Sequence, residues 1–135
     1  MARLEWTDDL AVGNAMIDED HQQLVFLVNR FDDAIVSGAD STVRGNLLDE
    51  LVSCTVAHFI REERLMQRIK YPEFTFHKSQ HDGLLSDIAK LQRSFRSGEL
   101  PLSERTSAFL CEWLSRHIRT SDTLLGSIVG SLEVA

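Results

Sequence analysis

Proline occurs only twice and glycine seven times in 135 residues, too little chain punctuation for a collagen-like or disordered protein. Cysteine is equally scarce. Cys54 and Cys111 lie far apart, each inside a helical apolar pattern, so buried thiols are expected rather than a disulfide framework. Nowhere does an apolar run approach the roughly 18 residues of a membrane span, and the segment Met1 to Trp6 lacks the core of a signal peptide. A cytoplasmic protein with no membrane partner is therefore expected. Basic residues are in deficit, 14 against 21 acidic, giving a formal charge of −7. With no dense Lys/Arg cluster to meet phosphates, a nucleic-acid partner is not expected either.

What remains is ordinary globular material, 43% hydrophobic and 26% charged, of a length that suits one domain spanning 1–135. Residues 1–17 read as an irregular arm, with Trp6, Leu10, Val12 and Ile17 apolar and Gly13-Asn14 breaking the pattern. Trp6 is its expected anchor. Beyond it, apolar residues recur at helical spacing. Leu24, Val25, Val28, Phe31 and Ile35 define a first helix over about 18–37, closed by Gly38. Leu47, Leu51, Cys54, Phe59, Leu65 and Ile69 define a second over about 42–70, with Ser41 as its expected N-cap and Tyr71-Pro72 as its stop. Phe76, Leu84, Leu85, Ile88, Leu91 and Phe95 define a third over about 73–97. A fourth starts near 103, capped by the segment from Ser103 to Thr106, and runs through Phe109, Leu110, Trp113, Leu114 and Ile118 before Gly126 and Gly130, which are expected to fray it. Strand-like alternation is missing. Four helices with short connections predict an all-α, antiparallel up-down-up-down four-helix bundle over 18–130.

The informative feature is the placement of the five histidines. His21 falls early in the first helix, His58 in the second, His77 and His81 early in the third, and His117 in the fourth. Antiparallel packing brings all of them toward one interior level. His58 and Glu62 are separated by four positions, as are His77 and His81, so each pair is offset by only about 40° around its helix and about 6 Å along it. Both members of a pair can face one cluster. Glu62 continues the inward stripe of Leu47, Leu51, Cys54 and His58, where an ionised carboxylate needs a partner or a metal. Taken singly, each of these residues is more often a packed or surface group. Jointly, five histidines at matching bundle positions beside an inward carboxylate point to metal ligation. Glu63, Arg61 and Arg64 have no such logic and read as a solvated face, and Met66 as core. Asp122 follows His117 by five residues, about 140° apart on a regular helix. If both face the interior, the fourth helix must be irregular between them, through a π-type bulge, a widened turn or a break.

At these residues the chain resembles the hemerythrin family, in its bacterial single-domain branch. The resemblance spans nearly the whole chain and rests on Trp6, Val12-Gly13 and Ile17-Asp18 leading to His21, on His58-Phe59 with Glu62-Glu63 and Met66, on Tyr71-Pro72 before His77 and His81, and on Trp113-Leu114 before His117-Ile118 and Asp122. It implies a non-haem di-iron centre with two iron ions (Fe2+/Fe3+) and a bridging oxo or hydroxo group. His77, His81 and His117 would bind one iron, His21 and His58 the other, and Glu62 and Asp122 would bridge them. Two octahedra offer twelve positions, and this arrangement fills eleven, leaving one open on the iron with two histidines. Dioxygen would bind there reversibly, in a pocket kept dry by Leu24, Phe59, Trp113, Leu114 and Ile118. Thr120 is the exception, either facing the pocket, where it would hasten oxidation, or bonding back to its own helix.

Oxygen transport, storage or delivery follows from the resemblance, with no catalytic residues. A monomer is expected, with an oxygen-accepting protein as a candidate partner. An oxygen or redox sensor module of a signalling system is the alternative. Less favoured is a ferritin-like di-iron oxidase, because that class carries paired Glu-x-x-His motifs and the chain contains none.

Overall fold

The computed structural model describes residues 3–134, with side chains through Val129; the first two residues of the expected arm and Ala135 lie outside the described residues. Four antiparallel helices form the bundle. α1 runs Ala15–Val36, α2 Ser41–Arg68 and α3 Phe74–Arg96. The fourth is composite, with α4 at Glu104–His117, a π turn at Ile118–Asp122 and α5 at Thr123–Val134. α1 packs on α2 and α4, and α2 packs on α3. Among the described residues there is no strand, and no helix is long and apolar enough to cross a membrane.

The caps fix where each helix begins, and two lie earlier than the sequence suggests. Asn14 caps α1 by accepting from the Ile17 amide, so Ile17 is a buried helical residue rather than part of the arm. Asp18 then lies inside α1 and accepts from the amides of Val12 and Gly13, at 2.7 and 3.2 Å, holding the arm against it. Asp40, not Ser41, caps α2 through the Val43 amide at 3.0 Å; a carboxylate there satisfies an orphan donor and favours the positive end of the helix dipole. Ser103 and Thr106 do form a reciprocal capping box on α4.

Most of the apolar stripes face inward, around a core containing Leu24, Leu27, Val28, Phe31, Leu48, Leu51, Ile88 and Leu110. Phe76 and Phe109 are corrections to those stripes, 61% and 45% exposed. In the arm, Leu4 and Leu10 are the buried anchors while Trp6 is half-buried against the same core. Asn29 grips the Leu4 backbone at both ends, accepting at 2.9 Å and donating at 2.6 Å. Gly126 does not fray the last helix, which continues to Val134. Its missing side chain is what lets the arm lie there: a Cβ would stand 2.3 Å from the Val12 carbonyl oxygen. No disulfide joins Cys54, which is half-buried, to Cys111, which is buried; burial pushes the Cys111 thiol up to about 11.

Candidate metal centre

All seven polar residues singled out in the sequence converge in the bundle interior, each at least nine-tenths buried. α1 contributes His21, α2 His58 and Glu62, α3 His77 and His81, α4 His117, and the π turn ends on Asp122. Widening the helix by one residue is what swings Asp122 inward. The turn is supported from outside by Thr123, which donates to the Ile118 carbonyl at 2.8 Å, by Ser121, which donates to Gln80, and by Arg119, which reaches Asp9 in the arm at 3.0 Å.

Each carboxylate divides its two oxygens between two sets of imidazoles. Glu62 Oε1 lies 2.6 Å from His77 Nε2 and 3.2 Å from His81 Nε2, while Oε2 lies 3.1 Å from His58 Nε2. Asp122 Oδ1 lies 2.9 Å from His77 Nε2 and 3.2 Å from His117 Nε2, while Oδ2 lies 2.9 Å from His21 Nε2. His21 and His58 face one another through Nε2 atoms 3.1 Å apart. Two donor groups result, one of His77, His81 and His117 and one of His21 and His58, each including both carboxylates, with ligand atoms within 4.8 Å of one another.

The approaches of the imidazoles to the two carboxylates are not well-formed hydrogen bonds. The Nε2 atoms of His77, His81 and His117 and all four oxygens of Glu62 and Asp122 are buried without an aligned partner. Buried polar atoms ordinarily find partners. Seven such atoms aimed at two shared points fit a pair of cations, and imidazole nitrogen with carboxylate oxygen is a donor set suited to iron.

The electrostatics agree with that reading. Burial and the Asp122 charge both push the Glu62 carboxyl up, yet its histidine neighbours win and hold it down at about 2. Asp122 sits well below the carboxylate range for the same reason, against burial and through His117, His21 and His77. Burial alone would lower His58, but Asp20 and Glu62 raise it to about 9; Asp122 and Glu62 raise His77 to about 9 against the same penalty. In the metal-free protein the two negative charges are thus balanced by protons that a metal pair would displace.

Outside the cavity, two acidic residues contact the histidines from behind. Asp20 Oδ2 lies 3.0 Å from His58 Nδ1, and Glu63 Oε2 lies 2.9 Å from His81 Nδ1. Arg61 binds both oxygens of Asp20 at 2.8 Å. The reading of Arg61 and Glu63 as a merely solvated face is therefore corrected: both are partly exposed, but each belongs to the support of a histidine. Asp20 gave no sequence signal beyond adjacency to His21, since its partner lies on another helix.

Beside this ligand cluster is a cavity of about 10 Å³, bounded by His21, Leu24, His58, Phe59, Leu84, Trp113, Leu114, His117 and Asp122. Four of the five expected apolar pocket residues line it. Ile118 is fully buried but does not, and Leu84, read in the sequence only as a core position, does. Phe59 stacks on His81 with ring centres 3.8 Å apart. Thr120 points outward and donates to the Arg116 carbonyl at 2.8 Å, so it bonds back to its helix. A larger open groove of about 690 Å³ separates α3 from α4 along Leu84, Phe109 and Trp113.

A helical bundle whose facing helices supply five imidazoles and two shared carboxylates defines a histidine-rich dimetal class, distinct from carboxylate-dominated di-iron bundles. The hemerythrin HHE cation-binding domain model matches residues 12–129, and the chain belongs to the hemerythrin family. It is 35% identical to a bacteriohemerythrin of Methylococcus capsulatus over 93% of this chain and 96% of that protein. A bacteriohemerythrin of Stenotrophomonas maltophilia is 35% identical over 90% of this chain and 78% of that protein. Among solved structures, a wild-type hemerythrin aligns with a TM-score of 0.87 and 32% identity over 92% of this chain and 95% of that one.

Proposed function

We propose that the chain holds two iron ions and binds dioxygen reversibly at them, for oxygen transport, storage or delivery. The observation that carries this reading is the division of Glu62 and Asp122, each giving one oxygen to the three-histidine set and the other to the two-histidine set. Such carboxylates bridge. His77, His81 and His117 would hold one iron and His21 and His58 the other, with Glu62 and Asp122 shared between them. When bound, the iron pair supplies the electrons for reversible dioxygen binding.

The protein's part is to orient the ligands and exclude water. Leu24, Phe59, Trp113, Leu114 and Ile118 are buried around the cluster, and the cavity of about 10 Å³ has room for about one water-sized molecule. That size favours a diatomic ligand over an organic substrate. Both histidines of the two-histidine set border the cavity, against one of the other three, so the space for a small ligand adjoins that set. The test is to load the protein with ferrous iron anaerobically and follow the visible spectrum through cycles of oxygen and argon. A charge-transfer band that appears with oxygen and disappears under argon supports the proposal; irreversible bleaching or no band refutes it.

A further inference from the structure

Two of the five histidines are tied from outside the cavity, one in each set. His58 turns Nε2 inward, 3.1 Å from Glu62 Oε2, and Nδ1 outward, 3.0 Å from Asp20 Oδ2. His81 repeats the arrangement, with Nε2 3.2 Å from Glu62 Oε1 and Nδ1 2.9 Å from Glu63 Oε2. A carboxylate accepting at Nδ1 keeps the ring proton there and leaves the Nε2 lone pair for a metal, while fixing the ring's rotation. His21 lacks this help: its Nδ1 is buried without a hydrogen-bond partner.

Both ties cross between helices that carry the ligands they serve. Asp20 sits on α1 beside His21 and reaches His58 on α2, so it joins the two helices of the two-histidine set. Glu63 sits on α2 beside Glu62 and reaches His81 on α3, within the three-histidine set. Their orientation is held differently. Arg61 forks onto Asp20 with two bonds of 2.8 Å, a planar bidentate fit that locks the carboxylate. The cation nearest Glu63, Lys78, is 3.8 Å away and bonds to Asp82 instead.

We propose that Asp20, locked by Arg61, and Glu63 are positioning residues that each serve one metal: Asp20 through His58, and Glu63 through His81. The inference deepens the dimetal reading and rests on it. Because the two ties share no atom and act on different histidines, their effects should be separable by metal.

The full-length chain is loaded with Co2+ and stripped with excess chelator, and the cobalt absorbance follows each equivalent as it leaves. In Asp20→Ala one equivalent leaves about 10–100-fold faster than in the wild type, and in Glu63→Ala one equivalent does so too, the size expected for losing an outer-shell partner. In the double variant both leave fast, because the two ties serve different metals. Asp20→Asn and Glu63→Gln keep an acceptor oxygen without the charge and fall between wild type and alanine, which also covers an alanine variant that fails to fold. A double variant retaining one equivalent at the wild-type rate overturns the proposal, as does a single variant that releases both equivalents equally fast, the mark of general loosening. A wild type that takes up one cobalt overturns the dimetal reading as well; two cobalts with the wrong release pattern overturn the positioning proposal alone.

Discussion

Replacing Glu62 with alanine should empty both metal positions at once. The side chain is fully buried, and its two oxygens lie 2.6 to 3.2 Å from imidazole nitrogens of both sets. Each metal would therefore lose a bond and half of a shared negative charge. Loss of an outer-shell partner alone costs about 10–100-fold in affinity, so loss of a direct ligand by each metal should cost more than that at both positions. The metal-free fold suffers less. His58 and His77, held at about 9 partly by Glu62, can shed their protons at pH 7 for about 3 kcal/mol each, which caps the penalty of leaving positive charge unmatched. The variant should thus fold, with lowered stability, and bind no metal at concentrations that saturate the wild type. Elemental analysis after gel filtration reads the stoichiometry directly. Glu62→Ala retaining one tightly bound metal would refute the bridging argument.

The pH dependence of the metal-free protein follows from the same groups. Raised His58 and His77 contribute stability that is complete below about 6.5 and lost as pH rises through about 9, whereas depressed Glu62 contributes stability present above about 4.5 and lost as pH falls through about 2. A melting temperature highest between about pH 4.5 and 6.5 is expected, and one still rising at pH 9 would contradict it. Gly126→Ala forces a Cβ against the Val12 carbonyl and should destabilise by about 1–3 kcal/mol in thermal or denaturant melts; an unchanged melt would show that the arm is not held there. Thr120→Val should leave oxidation of the iron-loaded protein within about twofold of the wild-type rate, since the hydroxyl faces away from the cavity, and a large slowing by stopped-flow spectroscopy would place it in the pocket after all.

The interior of this protein is unusually open to reading from the chain, because polar residues at core positions of amphipathic helices must have a reason to be there. The i, i+4 pairs His58/Glu62 and His77/His81 fall on inward stripes. The odd spacing of His117 and Asp122 demanded a helical irregularity, and the π turn at Ile118–Asp122 supplies it. Periodicity says less about residues whose role depends on a neighbouring helix. Glu63 and Arg61 lie on the rim of α2, where composition alone reads as solvated, and only the approach of α3 and α1 gives them partners. The same limit explains Phe76 and Phe109, which match a helical stripe yet face outward. It also explains Gly126, which propensity treats as a weak point although packing against Val12 requires it. Two helices also begin earlier than apolar periodicity places them, at the caps Asn14 and Asp40, because a polar cap lies outside the apolar stripe that periodicity follows.

The most direct test of the central claim is a crystal structure of the diferric protein soaked with azide, an anion that should take the open position. Two irons are predicted in the bundle, one held by His77, His81 and His117, the other by His21 and His58, with Glu62 and Asp122 between them. Azide should sit on the second iron alone, beside Leu24, Phe59 and Leu114. Azide on the iron with three histidines, a single iron, or two irons already saturated by protein atoms would contradict the account.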